Sequence, residues 1–362
     1  MKKTIAIILA ALLMLAVVAC GSPAAPEEPA APAAPAAPDE PAASAPEEPA
    51  APAAPEGEFN PADFPLAIAI GVKNHPVHRI VQLGFLKAAE ELGYPADVIG
   101  TDGTDWNEVY AACDAFAAGG GGGLMLWAGD ETAFPTLIRM EAAGIPVGIA
   151  HFKFDPWPQG LTFGLACSPT DYGRESADFI AERIEGMTGT VAITQNTFNV
   201  TENTATESFV ARMAELNLPG IKVLEPELEG SDLASATNVN AAILQREPDL
   251  IAAFGTTGNS PVTWANAARL AGKSPGELII IGMDYTEANL EEIAEGWVTA
   301  IVAQPLYEEA YVTAQLLDQY LRTGSVPQWT DLAAPLVYQG GTGVNDPAYY
   351  TGILEEVKTW FE

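Results

Sequence analysis

The sequence predicts an α/β protein of two Rossmann-like, doubly wound lobes. From residue 66 onward, short β-rich apolar runs carry no polar face, as strands of a parallel sheet covered on both sides must. Between them lie amphipathic stretches whose apolar residues recur three and four apart; Val81, Phe85, Ala88 and Leu92 make one stripe, Phe209, Met213 and Leu216 another. About ten such β/α units follow one another, more than one open sheet usually carries, so they divide into two.

The first sixty residues stand apart. Lys2 and Lys3 precede an unbroken apolar run from Ile5 to Val18, too short for a comfortable bilayer span but right for a signal-peptide core. The run ends in Val17-Val18-Ala19-Cys20, which resembles a bacterial lipobox: cleavage after residue 19 and acylation of Cys20 would anchor the chain to a membrane surface. Residues 20–62 are dominated by Pro, Ala and Glu, a composition that predicts a disordered tether of polyproline II character. Fully extended, it would reach on the order of 100 Å.

Strands are expected at 66–72, 97–100, 124–127, 146–150, 161–167, 190–194, 221–225, 250–254, 278–282 and 298–303. The crossover between lobes is expected where 161–167 runs into Ser168-Pro169-Thr170. The glycines of 118–123 follow a helix and precede a strand, the reverse of a phosphate loop, so they read as a helix C-cap and turn. Cys113 falls in a helical pattern and Cys167 in a strand. Both read as small hydrophobes, and nothing in the spacing predicts a bridge.

The 362 residues hold 48 acidic and 16 basic side chains, a formal charge of −32. This surface excludes nucleic acid as a partner and disfavours a strongly anionic ligand. No G-x-S-x-G elbow, H-E-x-x-H or reactive-cysteine motif points to catalysis, and no cofactor is expected. Function is sought just past the strand ends, where open α/β sheets bind ligands. Asp284 and Gln304 suit hydroxyl recognition; for Asp284 the alternative is capping the helix near Thr286, and for Gln304 a hinge hydrogen bond. Trp127 could stack a sugar face or pack in the core. Phe198, with Tyr285 and Trp264 as weaker candidates, lies on neighbouring loops or a helix start. Asn203 and Asn259 could face the cleft or cap helices. All three histidines, His75, His78 and His151, follow the first and fourth strands of one lobe. As neutral rings they would exchange hydrogen bonds with hydroxyls, and affinity would fall as pH drops through about 6.5. With Asp284 they could instead ligate a metal, which would leave Trp127 and Gln304 without a purpose.

Several segments resemble the type I periplasmic binding proteins, in particular the ribose/galactose-type sugar-binding branch serving ABC transporters. These are Asn74-His75-Pro76, Gly144-Ile145-Pro146-Val147, Ile280-Ile281-Gly282-Met283-Asp284 and Ala303-Gln304-Pro305, over about residues 64–325. The resemblance implies a first lobe of 63–168 plus 305–325, a second of 169–304 plus 326–362, and a three-segment hinge. It also implies a monomeric, exported, non-enzymatic receptor that closes on a small neutral polar ligand and delivers it to the ABC permease subunits. Carbohydrate is the ligand class implied. A polyol, nucleoside or furanone signal is the alternative, and an anchored small-sugar hydrolase a further one; the signal peptide and the missing basic helix-turn-helix exclude a repressor on the same lobes. The chain departs from the pattern at Val77-His78, His151-Phe152 and Asn203, where the family often has an aromatic pair, Asp-Arg and an arginine. Those changes shift selectivity away from the usual sugars.

Overall fold

The structure, a computed structural model, describes residues 59–196, 200–230 and 232–361. The signal segment, Cys20, most of the expected tether and Phe198 lie outside the described residues. The tether's last residues are already folded: Phe59 stacks on Phe64 at 5.1 Å and Arg322 lies over the Phe59 ring.

The first lobe begins β1 (Leu66–Ile70), α1 (Pro76–Leu92), β2 (Ala96–Gly100), α2 (Trp106–Ala118), β3 (Gly123–Trp127), α3 (Phe134–Ala142), β4 (Val147–Ala150) and β5 (Phe163–Cys167). Every residue of β1 and β3 is buried, as the two-faced apolar runs require. Gly119 ends α2 and Gly123 opens β3, so the glycine run is the expected cap and turn. The second lobe follows with α4 (Pro169–Arg183), β6 (Gly189–Gln195), α5 (Val200–Leu216), β7 (Ile221–Val223), β8 (Glu227–Leu228), α6 (Leu233–Arg246), β9 (Leu250–Gly255), α7 (Ser260–Leu270), β10 (Ile279–Met283), α8 (Glu287–Ala294) and β11 (Ala300–Val302).

The chain then returns. Helix α9 (Leu306–Thr323) packs on α1 of the first lobe, so closely that a Cβ on Gly84 would sit 2.2 Å from the Tyr307 carbonyl oxygen. Only glycine fits there. Two short strands follow, β12 (Trp329–Leu332) and β13 (Leu336–Val337), and the last helix is α10 (Pro347–Phe361). The sheet orders are β12-β5-β4-β3-β1-β2 and β13-β11-β10-β9-β6-β7, with β8 beside β6. Both sheets are parallel except for the β11–β13 pair.

Three segments cross between lobes, at Cys167–Pro169, Val302–Leu306 and Leu332–Leu336. Two of them are tied together, Ala303 N–H donating to the Pro335 carbonyl at 2.9 Å.

One boundary needs correction. Residues 326–362 were expected to belong to the second lobe, yet β12 extends the first sheet, Trp329 pairing with Gly164 and Leu332 with Cys167. Its Trp-Thr-Asp-Leu sequence lies at a sheet edge and lacks the apolar run that marks a buried strand. Helix α10 serves both lobes. Glu356 pairs with Lys87 at 2.5 Å and Arg79 lies over the Phe361 ring, whereas Tyr350 packs on Tyr285 and Lys358 pairs with Glu287.

Cys113 is buried in α2 and Cys167 closes β5; both are free thiols. Among the described residues, no helix is long and apolar enough to cross a membrane.

Candidate functional site

Backbone strain marks the site. Among the described residues five non-glycine residues have positive φ, and four of them lie just past strand ends: Val72 (48°) after β1, Ala128 (54°) after β3, His151 (88°) after β4 and Asp284 (68°) after β10. Such conformations each cost on the order of 1–3 kcal/mol and persist where surrounding structure fixes them for a purpose.

The first lobe's tips hold a continuous ring stack. His75 and His78 rings lie 5.0 Å apart, His78 and Trp127 4.9 Å, Trp127 and His151 4.7 Å, and His151 and Phe152 4.8 Å. Behind it stands Glu309 of α9, wholly buried, which accepts from Trp127 Nε1 at 2.8 Å and meets His151 Nδ1 at 3.2 Å. Trp127 is therefore not an open stacking platform: it is 5% exposed, with an imidazole against it on either side. His75 is exposed and caps α1, accepting from the Val77 amide. His78 Nδ1 donates to the Gly71 carbonyl at 2.7 Å, which leaves Nε2 as the ring's acceptor.

The two inner imidazoles differ electrostatically. Burial lowers the His78 pKa, and the neighbouring His75 and His151 lower it further. Burial also disfavours charge on His151, but the Glu309 and Asp284 carboxylates outweigh it and raise its pKa overall. The neutral-ring expectation therefore suits His78 and needs correction for His151.

On the second lobe, Asp284 is fixed at its amide by the Val302 carbonyl, and its Oδ1 accepts from Gln304 Nε2 at 3.0 Å. Asn289 clamps the surrounding loop, its Nδ2 donating to the carbonyls of Gly258, Met283 and Asp284. The capping role considered for Asp284 falls to Thr286, whose hydroxyl accepts from the Asn289 amide. The hinge hydrogen bond considered for Gln304 is the bond to Asp284. Burial raises the Asp284 pKa to about 6, against the pull of His151's charge and the Gln304 bond. His151 and Asp284 thus feel one another across the crevice between the lobes.

Asn259 occupies the N-cap position of α7 without a side-chain cap bond. Asn203, in the first turn of α5, lines a separate hollow of about 410 Å³ with Gln195 and Thr206. Asp284 lines a cavity of about 580 Å³ between lobes, opposite Asn74, Val77 and Ile80 and beneath α10. Tyr285 and Trp264 are buried in the core, at 2% and 0% exposure. Among the described residues, no group of three or more His, Cys, Asp or Glu side chains is arranged to hold a metal.

Sequence reasoning missed three residues. Glu309 sits inside α9, Glu202 in the first turn of α5, and Tyr172 in the first turn of α4. Each stands on a helix within electrostatic reach of His151 or Asp284, where no strand-end signal announces it.

The periplasmic binding protein domain profile matches residues 66–325, well over half of the chain. The chain belongs to the periplasmic binding protein family. Solved members share its architecture. AraP, an arabinose binding protein from Geobacillus stearothermophilus, superposes with a TM-score of 0.68 at 19% identity, covering 83% of this chain and 100% of its own. A periplasmic ribose ABC transporter protein from Conexibacter woesei gives 0.70 at 18% identity, covering 83% and 97%. GanP, a glucose-galactose binding protein from Geobacillus stearothermophilus, gives 0.62 at 20%, covering 76% and 97%. At these identities the likeness speaks for the type I fold of two parallel-sheet lobes.

Proposed function

We propose that the protein is the substrate-binding lipoprotein of an ABC importer: anchored through Cys20, it captures a small polyhydroxylated ligand between its lobes and delivers it to membrane permease subunits. The observation that carries this reading is the placement of His151 just past β4 on one lobe and Asp284 just past β10 on the other, both held at positive φ and within electrostatic reach of one another. Closing the lobes on a ligand would bring such groups onto opposite faces of it. Support comes also from the Asp284–Gln304 bond, which presents one free carboxylate oxygen and one free amide oxygen at the tip of the β10–β11 pair. The solved relatives named above include binders of arabinose and of glucose and galactose.

Titrating the purified protein with sugars and polyols, read by tryptophan fluorescence and thermal shift, tests the proposal. Trp127 lies between imidazoles at the crevice and should report closure. A ligand at 100 times its Kd should add about 2.7 kcal/mol of stability. Recovery of that ligand unchanged sustains the receptor reading, and a hydrolysed product would sink it. For the anchor, Cys20→Ala should move the protein from the membrane fraction to the soluble one.

A further inference from the structure

Two glutamates of the second lobe, Glu229 buried and Glu202 partly so, have opposite fates. Glu229, 3% exposed, is saturated: Thr257, Ser260 and Thr263 hydroxyls and the Asn240 amide all donate to it. Glu202 has no such retinue. Its Oε2 is buried without a hydrogen-bond partner, at the start of the helix that follows β6 and so at the level of the strand tips. A second unpartnered group stands within electrostatic reach of Glu202 and Asp284. The Tyr172 side chain is 1% exposed, its hydroxyl bonds to nothing, and it lies in the combined field of Cys167, Asp284, Glu202 and Glu309.

The charges around this spot are mostly negative. Those bearing on Glu202 come from Asp284 and Glu229, and the cation bearing on Asp284 is His151. The other basic side chains nearby have partners: Arg79 and Lys358 line the same cavity as Asp284, where Arg79 donates to the Phe361 carbonyl and to Asn74 and Lys358 pairs with Glu287, while Lys153 lies over the Trp329 ring. Asp284 Oδ1 is taken by Gln304, while Oδ2 lies against Gly258, where a Cβ would come within 2.7 Å of it. Around Glu202 and Asp284 the carboxylates therefore outnumber the cations, and acceptors are left free. A neutral sugar brings one donor per hydroxyl and no charge. An ammonium brings three donors and a positive charge.

Resting on the receptor reading above, we infer that the captured ligand is a polyhydroxylated amine, an amino sugar or amino polyol, whose ammonium is held by Glu202 and Asp284 with the Tyr172 hydroxyl as a third partner. Burial first, and the neighbouring carboxylates second, raise the Glu202 pKa to about 7, so the unliganded carboxylate is poised between its two forms. An arriving ammonium favours the ionised form, and binding releases a proton.

Calorimetry with the full chain at about pH 7 decides it. The probes are D-glucosamine, D-galactosamine and D-glucamine against D-glucose, D-galactose and sorbitol. At least one amine should bind about tenfold or more tighter than its hydroxyl counterpart. Repeating that titration in buffers of different ionisation enthalpy should reveal proton release. In Glu202→Gln the amine's advantage and the proton release should both disappear, with unchanged circular dichroism showing the fold intact. Neutral compounds binding as tightly as the amines would overturn the inference and leave the receptor reading standing. Failure of every probe would overturn both.

Discussion

The first lobe turns three imidazoles and an indole toward the crevice and backs them with a single buried carboxylate; the second turns carboxylates and amides toward it and has no imidazole at all. In the first lobe the buried acid, Glu309, finds two donors and organises its neighbours. In the second, Asp284 finds one donor, Gln304, and Glu202 leaves its buried Oε2 without any. The contrast separates structure from function in physical terms. A satisfied buried charge holds a fold together, whereas an unsatisfied one calls for an explanation, which the inferred ammonium supplies.

Breaking the satisfied side should have the largest effect. Glu309→Ala strands the Trp127 Nε1–H and removes the counter-charge of His151, and should destabilise the protein by about 3–5 kcal/mol in urea unfolding. Glu309→Gln keeps an acceptor for the indole and should cost about 1–2 kcal/mol. A loss below about 1 kcal/mol for the alanine variant would mean that Glu309 does not organise this rim. Glu229→Ala should follow at about 2–4 kcal/mol, because four donors lose their acceptor together.

Glu202→Gln should have the opposite sign. A carboxylate whose folded pKa is raised penalises the folded state when ionised. The penalty is full above about pH 7 and vanishes below the unfolded value of about 4.5. The variant should therefore gain stability at about pH 8, by about 1–2 kcal/mol once solvent screening at this partly open site is allowed for, and nothing at about pH 5. That corresponds to about 2–4 °C in a thermal scan. An equal gain at both pH values would point to packing rather than charge.

The legibility of the sequence follows the same division. Strands such as β1 and β3 were readable because burial on both faces leaves an apolar run with no polar interruption. Asp284 and Gln304, twenty residues apart, were readable as strand-end residues, and their hydrogen bond joins two parallel neighbours, β10 and β11. Strands β12 and β13 were not, since short edge segments with polar residues carry no period. Glu309 and Glu202 were not readable either, because a glutamate in an amphipathic helix looks the same whether it meets water or a buried indole. Trp127 shows the limit from the other side: the sequence located it correctly at a strand tip but could not reveal that two imidazoles would cover it.

The smallest expected effect requires no mutation and tests the comparison within one rim. His78 and His151 flank the same indole, yet their pKa values move apart, His78 below about 6.5 by burial and His151 above it through Glu309 and Asp284. The signs for stability follow. His151's ion pair stabilises the fold fully below about pH 6.5 and is lost as pH rises through its higher folded pKa, whereas protonating His78 in the folded state becomes a burden only as pH falls below its ordinary value. In a 1H–15N histidine titration the two rings should give midpoints on opposite sides of 6.5, His78 retaining the Nδ1–H tautomer that its bond to the Gly71 carbonyl requires. Adding Glu309→Gln should bring the His151 midpoint down toward that of His78. Coincident midpoints in the unmodified protein would mean that Glu309 and Asp284 do not reach His151 electrostatically, and the coupling between the lobes would lose its basis.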